Sequence, residues 1–235
     1  MKVVILAGGK GSRLSNKTVF QPKPMLMVGD KPILWHLMKF FSSYGFGDFV
    51  LCLGYKKDNI IKYFSENSMS EFNIQFVDTG EKTSKSKRLM MIKNYINEEN
   101  FILSYGDDLS DVNINNVIKL HNSKNLIATI TTVHPTIQYG IVKINDNGVI
   151  SDIIEKPIMK NLWINGGFAI LNRKIFKYLN LGELEDTVYQ KLCKERNICA
   201  YMHLGFWKSM NTYKDFLELN KMWNSGDRPW KNWIE

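Results

Sequence analysis

LAGGKGSRL, residues 6–14, joins the apolar run VVIL to a glycine-rich turn and an arginine. Glycines directly after a first strand let the backbone approach a ligand closely, and they offer several N–H groups to an anion. Phosphate is the anion that we expect there. A tight turn without a ligand uses the same glycines, so this stretch alone leaves both interpretations open.

The spacing of this loop does not match two common nucleotide-binding motifs. It lacks the lysine of GxxxxGK[ST], and its glycines do not give GxGxxG. What remains is Arg13, which can bind two phosphate oxygens, and Lys23, which can act as a point charge on another phosphate. Lys23 lies between two prolines, and these restrict the backbone and the direction of its ammonium group.

The pattern around the loop predicts an α/β fold. The runs VVIL, FVLCLGY, FNIQFV and FILSY alternate with segments that have apolar residues at helical spacing. This alternation predicts a Rossmann-like, mostly parallel sheet flanked by helices. Residues 113–121 read as a further helix with Asn113 as its N-cap. A D-N-G turn between GIVKI and GVISDII then predicts a hairpin, and so a mixed or antiparallel portion.

Length and the C-terminal pattern complete the expected architecture. The 235 residues, 44% of them hydrophobic, can bury one large core, and no linker or repeat interrupts them. We therefore expect a single domain over residues 1–235. Its last part should contain helical stretches at residues 176–179 and 183–194, the strand CAYMHL, and a helix at about residues 212–223.

Charge and cysteine content exclude several classes. The net charge of +8 is spread along the chain without an RNP, zinc-finger or basic-arm pattern, so we expect no nucleic-acid partner. The densest basic cluster, KTSKSKR at residues 82–88, fits a solvated loop and helix start or a rim that attracts a polyanionic ligand. Three cysteines without framework or zinc spacing favour a reducing cytoplasm. No run approaches roughly 18 apolar residues, so we expect no membrane partner.

A series of motifs resembles the sugar-phosphate nucleotidylyltransferases, and most closely their glucose-1-phosphate cytidylyltransferase branch. After LAGGKGSRL come PKPM, GDKPILWHLM, LGYK, VDTG, SYGDD, EKP, INGGF, GFW and PWK, in this order along essentially the whole chain. The resemblance implies the nucleotide-diphospho-sugar transferase fold. It also implies transfer of CMP, or another nucleotidyl group, from a nucleoside triphosphate to an acceptor phosphate with release of pyrophosphate.

The resemblance implies a nucleotide-binding half at residues 1–111, with Mg²⁺ as cofactor. Arg13 and Lys23 are the catalytic residues that it implies at the triphosphate. The implied nucleotide-binding residues are Leu6, Ala7, Gly8, Gly9, Gly11, Ser12, Arg88 and Asp107. Asp107 follows a buried strand, where open α/β sheets bind ligands, and it is the implied metal ligand together with Asn211. The alternative is a loop carboxylate that caps the next helix, and Asp108 fits that alternative better.

The resemblance implies an acceptor-binding half at residues 112–235. The acceptor residues that it implies are Tyr105, Glu155, Lys156, Asn165, Gly166 and Trp207. Lys156 of the EKP motif would bind the acceptor's phosphate and Glu155 its polar groups, with a surface ion pair as the alternative. Asn165 and Gly166 would border the acceptor pocket, although glycines here also fit a bulge in a strand.

Three departures from that branch affect the choice of acceptor. The segment between Phe64 and Phe76 is short where the cytidylyltransferases carry a long insertion. Ser86 and Lys87 replace a glycine pair before Arg88. The family's MDT is MNT at residues 210–212, so an aspartate of the metal site is replaced by Asn211. An amide oxygen can still coordinate a hard cation, but it brings no negative charge.

The compact build resembles cytidylyltransferases that act on a phosphorylated amide, such as the CTP:phosphoglutamine cytidylyltransferase of capsular phosphoramidate synthesis. This resemblance implies CTP and L-glutamine phosphate as substrates, in capsule polysaccharide biosynthesis. Glucose 1-phosphate, giving CDP-glucose, is the alternative acceptor. A catalytically silent nucleotide-binding subunit is the alternative from another class, motivated by Asn211, and the retained phosphate-transfer residues argue against it. The oligomeric state stays open, a homo-oligomer included.

Overall fold

The computed structural model describes residues 1–11, 14, 21–67 and 70–234. The predicted sites Ser12 and Arg13 lie outside these residues. In chain order, the first elements are β1 (Val3–Leu6), β2 (Met27–Val28), β3 (Lys31–Pro32), α1 (Ile33–Ser42), β4 (Asp48–Leu53), α2 (Lys57–Glu66), β5 (Asn73–Asp78), α3 (Lys85–Met91), β6 (Asn100–Tyr105), β7 (Asp108–Ser110) and α4 (Ile114–Lys124). Short 3-10 turns, Lys23–Met25 and Lys93–Tyr95, lie between them.

The second half adds the remaining strands and helices. These are β8 (Ala128–Val133), β9 (Ile141–Ile144), β10 (Ile150–Ile154), β11 (Ile164–Asn172), β12 (Ile198–Met202), β13 (Trp207–Ser209), α5 (Gln190–Lys194) and α6 (Tyr213–Ser225). The segment Leu184–Tyr189, directly before α5, is π-helical, and 3-10 turns occupy Arg173–Lys177 and Leu179–Leu181. Thus the stretch predicted as one helix at residues 183–194 changes its winding at Gln190.

The central sheet has seven strands among the described residues, in the order β12-β8-β11-β6-β1-β4-β5. The pairs β1–β4, β1–β6, β4–β5 and β8–β12 are parallel. Among the described strands of this sheet, β11 alone runs antiparallel to its neighbours, which are β6 and β8. The predicted α/β fold with a mostly parallel sheet and a mixed second portion is therefore confirmed.

The first strand shows why the sequence buries this sheet on both faces. Val3, Val4 and Ile5 have no exposed surface. Val3 and Ile5 belong to one hydrophobic cluster and Val4 to the other, because successive side chains of a strand point to opposite faces. Helices cover both faces, which explains why the strands read as nearly continuous apolar runs rather than as alternating ones.

His36 on α1 belongs to the core, as its helical apolar setting predicts. Its ring is fully buried beside Trp223, and Nε2 lies 2.8 Å from the carbonyl oxygen of Val28. Burial lowers the pKa of His36 to about 4, so the ring stays neutral at physiological pH. A buried neutral ring that packs against a tryptophan fits a structural role.

Two local predictions meet different outcomes. Asn113 caps α4, because its side chain accepts a hydrogen bond from the N–H of Asn116 at 3.2 Å. The alternative in which Asp108 caps that helix is wrong. Asp108 lies in β7, buried and paired with Ser209 of β13, because the chain forms a short extra strand before the helix begins.

The predicted hairpin is a two-stranded ribbon, β9 and β10, outside the central sheet. Its turn is held by Asn145, whose side-chain oxygen accepts hydrogen bonds from the N–H groups of Asn147 and Val149. Several apolar side chains of the ribbon are exposed, among them Ile144 and Ile153. Among the described residues, no helix is long and apolar enough to span a membrane.

Candidate active site

A cavity of about 550 Å³ lies where the glycine-rich loop after β1 meets the ends of β6 and β11. Its wall combines residues from both predicted halves of the chain. The predicted site residues in this wall are Leu6, Ala7, Gly8, Gly9, Gly11, Lys23, Arg88, Tyr105, Asp107, Asn165, Trp207 and Asn211. The fold thus brings most of the predicted site residues to one place.

Lys23, Asp107 and Asn211 converge in the wall although they are far apart in the sequence. The ammonium group of Lys23 donates to Oδ2 of Asp107 and, at 3.0 Å, to Oδ1 of Asn211. The Lys23 side chain is only 12% exposed, so its charge is held close to these two oxygens. The arrangement presents one cation and one carboxylate to the cavity at the same point.

The orientation of Asn211 is fixed by its neighbours. Its Nδ2 donates to the hydroxyl of Ser209 at 2.8 Å, which turns Oδ1 towards Lys23. Its backbone N–H donates to Asp215 at 3.1 Å. Asp215 also forms a capping box with Thr212 at the start of α6, so the helix start holds this segment in place.

Asp108 is a second carboxyl group next to Asp107, in a very different setting. Burial, and then the charge of Asp107, raise the pKa of Asp108 well above its usual range. Gly167 makes room for it: a Cβ at Gly167 would lie 2.1 Å from Oδ2 of Asp108, and the positive φ of +82° also favours glycine. Of the two neighbours, Asp107 is the one that contacts the ammonium of Lys23.

Arg88 is buried in the wall, and its guanidinium is saturated with protein acceptors. It donates to the carbonyl oxygens of Gly8, Leu53, Glu81 and Thr83 and to the hydroxyl of Thr79. A guanidinium has five N–H donors, so all of them are engaged. A Cβ at Gly8 would lie 2.0 Å from Nη1 of Arg88, so only glycine permits this approach. Arg88 thus ties the glycine-rich loop to β4 and to the segment before α3.

The predicted acceptor residues divide into two groups. Tyr105, Asn165 and Trp207 line the cavity. Gly166 does not line it but is buried next to Asn165, and its carbonyl accepts a hydrogen bond from the indole N–H of Trp207 at 2.7 Å. Asn165 accepts a hydrogen bond from the N–H of Gly167 at 3.0 Å. The pairing of β11 with β8 shifts register between Asn165 and Ala169, so the bulge interpretation of these glycines also applies.

Glu155 and Lys156 form the other group, because they lie outside the cavity wall. Both are exposed at the end of the ribbon, and their side chains form an ion pair at 2.8 Å. The hydrogen bond and charge of Glu155 raise the pKa of Lys156. The alternative of a surface ion pair describes this arrangement, and the acceptor role of the two residues stays a prediction.

Several residues of this region were not predicted from the sequence, and two of them, Lys85 and Glu185, carry charges that pair with each other. Lys85 lines the cavity and pairs with Glu185, which follows Leu184 in the π-helical segment. Lys85 belongs to the basic cluster at residues 82–88, which the sequence indicates as a candidate rim of a ligand site. The sequence does not indicate which lysine of this cluster faces the cavity. Glu185 had no such signal, because the sequence predicts an ordinary helix there.

The oxygen donors of the wall fit a hard cation that is held partly by its substrate. Among the described residues, no group of three or more His, Cys, Asp or Glu side chains could hold a metal ion. The carboxylate of Asp107 and the amide oxygen of Asn211 already converge on one cation, the ammonium of Lys23. Mg²⁺ commonly uses one or two carboxylates, water and substrate phosphates, and this donor set matches that use.

Comparisons with known proteins identify the family of the chain. The family model described as "Nucleotidyl transferase" matches residues 2–225, and the chain belongs to this family. It is 39% identical to the "Probable glucose-1-phosphate cytidylyltransferase" of Bacillus subtilis, over 99% of this chain and 100% of the relative. It is 35% identical to the glucose-1-phosphate cytidylyltransferase of Salmonella typhimurium, again over 99% and 100%.

The solved structures agree with the observed architecture. The crystal structure of HddC from Yersinia pseudotuberculosis superimposes with a TM-score of 0.72 at 26% identity, and the match covers 94% of this chain and 98% of HddC. The predicted nucleotidyltransferase family and its fold are therefore confirmed.

Proposed function

We propose that this member of the nucleotidyl transferase family transfers CMP from CTP to glucose 1-phosphate, with CDP-glucose and pyrophosphate as products. The observation that carries the proposal is the convergence of Lys23, Asp107 and Asn211 beside the glycine-rich loop in one cavity. The choice of base and acceptor is supported by the two full-length relatives that bear the name glucose-1-phosphate cytidylyltransferase.

The reaction needs no protein nucleophile. A phosphate oxygen of the acceptor attacks the α-phosphorus of CTP and forms a new P–O bond. The bond from the α-phosphorus to the oxygen that bridges to the β-phosphorus breaks, and pyrophosphate leaves with that electron pair. The protein must therefore hold two anions together and compensate the negative charge that collects on the leaving group.

Lys23 is the residue that we assign to this charge compensation. Its ammonium lies beside the side-chain oxygens of Asp107 and Asn211, in the part of the cavity where we place the triphosphate. A positive charge at the point where negative charge collects stabilises the transition state. Arg13 remains a predicted partner of the triphosphate outside the described residues.

Asp107 and Asn211 are the side chains that we propose to hold Mg²⁺. When bound, the ion would supply positive charge at the triphosphate. Asn211 contributes a neutral oxygen, so the carboxylate of Asp107 is the charged part of this pair. We therefore expect the ion to enter together with the nucleotide rather than to bind tightly beforehand.

The backbone from Leu6 to Gly9 is the part of the wall that we assign to the base and ribose, together with Gly11. Arg88 acts there as a positioning residue, since it holds the carbonyl of Gly8 and has no unused donor. This assignment differs from a direct contact between Arg88 and the nucleotide, which the family resemblance implies.

For the acceptor, the relatives support glucose 1-phosphate over L-glutamine phosphate, because both carry the glucose-1-phosphate activity in their names and match the whole chain. The relatives give no such support to L-glutamine phosphate as acceptor or to a role in capsule polysaccharide biosynthesis, which the short segment between Phe64 and Phe76 suggests. A silent subunit is disfavoured because the chain retains Lys23 and Asp107 with their side chains in contact.

The test is pyrophosphate release from CTP, UTP, ATP and GTP, each with glucose 1-phosphate, other sugar 1-phosphates and L-glutamine phosphate, in the presence of Mg²⁺. We expect the highest turnover with CTP and glucose 1-phosphate. Highest turnover with L-glutamine phosphate would transfer the assignment to that acceptor. No turnover in any combination would favour the silent subunit.

A further inference from the structure

Lys85 is a lysine of the cavity wall to which the motifs give no role. It is the first residue of α3, and its side chain is 45% exposed. Its ammonium lies 2.5 Å from Oε1 of Glu185 and 4.4 Å from the centre of the Tyr105 ring. Both distances are those of attractive contacts for a cation.

Glu185 and Tyr105 fix the position of this ammonium. The phenol O–H of Tyr105 donates to the same carboxylate oxygen that Lys85 contacts. Glu185 comes from the π-helical segment, a rare geometry that is frequent at functional sites.

Lys85 keeps more donors for a ligand than the other cations in the described part of the wall. Arg88 uses all five of its N–H donors on the protein, and Lys23 is shared between Asp107 and Asn211. The ammonium of Lys85 has three N–H groups, and one of them donates to Glu185. Within residues 1–11, 14, 21–67 and 70–234, no acceptor for the other two is present.

The ring that Lys85 contacts belongs to Tyr105, a predicted acceptor residue, and it reaches β11. A Cβ at Gly167 would lie 3.0 Å from Cδ2 of Tyr105, so the ring under Lys85 touches this strand. Lys156, which the family resemblance assigns to the acceptor's phosphate, lies outside the wall and pairs with Glu155. In the described part of the wall, Lys85 is therefore the cation with two unengaged donors next to Tyr105, a predicted acceptor residue.

We infer that Lys85 binds the phosphate group of the acceptor, and that Glu185 and Tyr105 orient it for this contact. The inference rests on the proposed function, because that function requires an acceptor that carries a phosphate dianion. Lys85 would then be the residue that selects such an acceptor. Hydrogen bonds between an ammonium and a phosphate oxygen are short and strong. The contact exists in the bound substrate as well as in the transition state, so it affects KM for the acceptor more than kcat.

The test is steady-state kinetics of Lys85→Met with glucose 1-phosphate varied at saturating CTP, and with CTP varied at saturating glucose 1-phosphate. We expect KM for glucose 1-phosphate to rise by about 10–100-fold, the usual effect of one charged hydrogen bond. KM for CTP should stay within about twofold of the wild type. The matched control is Lys87→Met, which removes an exposed charge from the same helix and should leave both constants unchanged.

The outcomes separate this inference from the proposed function. A wild type that releases no pyrophosphate with any acceptor would contradict both. A wild type that turns over, with an unchanged acceptor KM in Lys85→Met, would contradict the inference alone. A rise in KM for CTP in place of the acceptor would show that Lys85 binds the nucleotide. Lys85→Arg keeps the charge and should retain most acceptor affinity, and thermal unfolding of each variant checks its fold.

Discussion

Replacing Arg88 by Met separates a positioning role of this residue from a nucleotide-binding role. The change removes five hydrogen bonds. The carbonyl of Leu53 keeps the N–H of Thr79 at 2.9 Å, and the carbonyl of Gly8 keeps the N–H of Tyr55 at 3.1 Å. The carbonyls of Glu81 and Thr83 depend more on Arg88, but both lie near the surface, where water can replace part of the loss.

These contacts set the size of the expected effect. Hydrogen bonds to a charged group are worth about 1.5–3 kcal/mol each. Because the remaining backbone donors and water replace part of these bonds, we expect Arg88→Met to lower the free energy of unfolding by about 2–4 kcal/mol. For a chain of this size, that corresponds to a fall in Tm of about 4–16 °C. Affinity for CTP should fall as well, because the glycine-rich loop loses its attachment to β4.

The assay is urea or thermal unfolding combined with CTP titration. The control is Lys87→Met, an exposed position on the same helix, with an expected change below about 0.5 kcal/mol. The reasoning would be refuted if Arg88→Met unfolded like the wild type and yet lost its affinity for CTP. Arg88 would then contact the nucleotide rather than hold the loop.

Three further predictions concern the nucleotide and the metal. CTP should raise Tm more than ATP, GTP or UTP, because the nucleotide that binds most tightly stabilises the native state most. A ligand at a hundredfold excess over its Kd adds about 2.7 kcal/mol. Equal shifts in Tm for all four nucleotides would contradict the assignment of CTP as substrate. Lys23→Ala should lower kcat by about 10²–10³-fold in a protein that remains folded, and a fully active variant would contradict its role. Asp107→Asn should abolish turnover in a folded protein at every Mg²⁺ concentration, whereas Asn211→Asp should lower the Mg²⁺ concentration for half-maximal rate. Wild-type metal dependence in Asp107→Asn would place the ion elsewhere.

The sequence predicts the sheet well because its strands carry a strong local signal. VVIL, FVLCLGY and FILSY are buried on both faces, so their composition alone distinguishes them from the helices. The Asn113 cap and the Asn145 turn are also local, since the side chain bonds to backbone a few residues away. Asp108 shows the limit: it forms a strand pair with Ser209, a partner about a hundred residues later.

The candidate site is less predictable because its contacts join distant parts of the chain. Lys23 meets Asp107 across 84 positions and Asn211 across 188. The motifs name these residues without showing that one ammonium links them. Arg88 illustrates a second limit. The sequence around an arginine does not show whether its N–H donors bind protein carbonyls or a ligand. Glu155 and Lys156 match a motif, yet they lie on the exposed ribbon rather than in the cavity wall.

The proposed transfer of CMP to glucose 1-phosphate is tested most directly by identification of the product in a competition reaction. The protein is incubated with Mg²⁺, glucose 1-phosphate and equal concentrations of CTP, UTP, ATP and GTP, and the products are resolved by mass spectrometry and phosphorus NMR. We expect CDP-glucose and pyrophosphate in equal amounts, with the other nucleotides largely intact. Unchanged nucleotides, release of orthophosphate without a sugar nucleotide, or a product with another base in excess would contradict the proposed transfer.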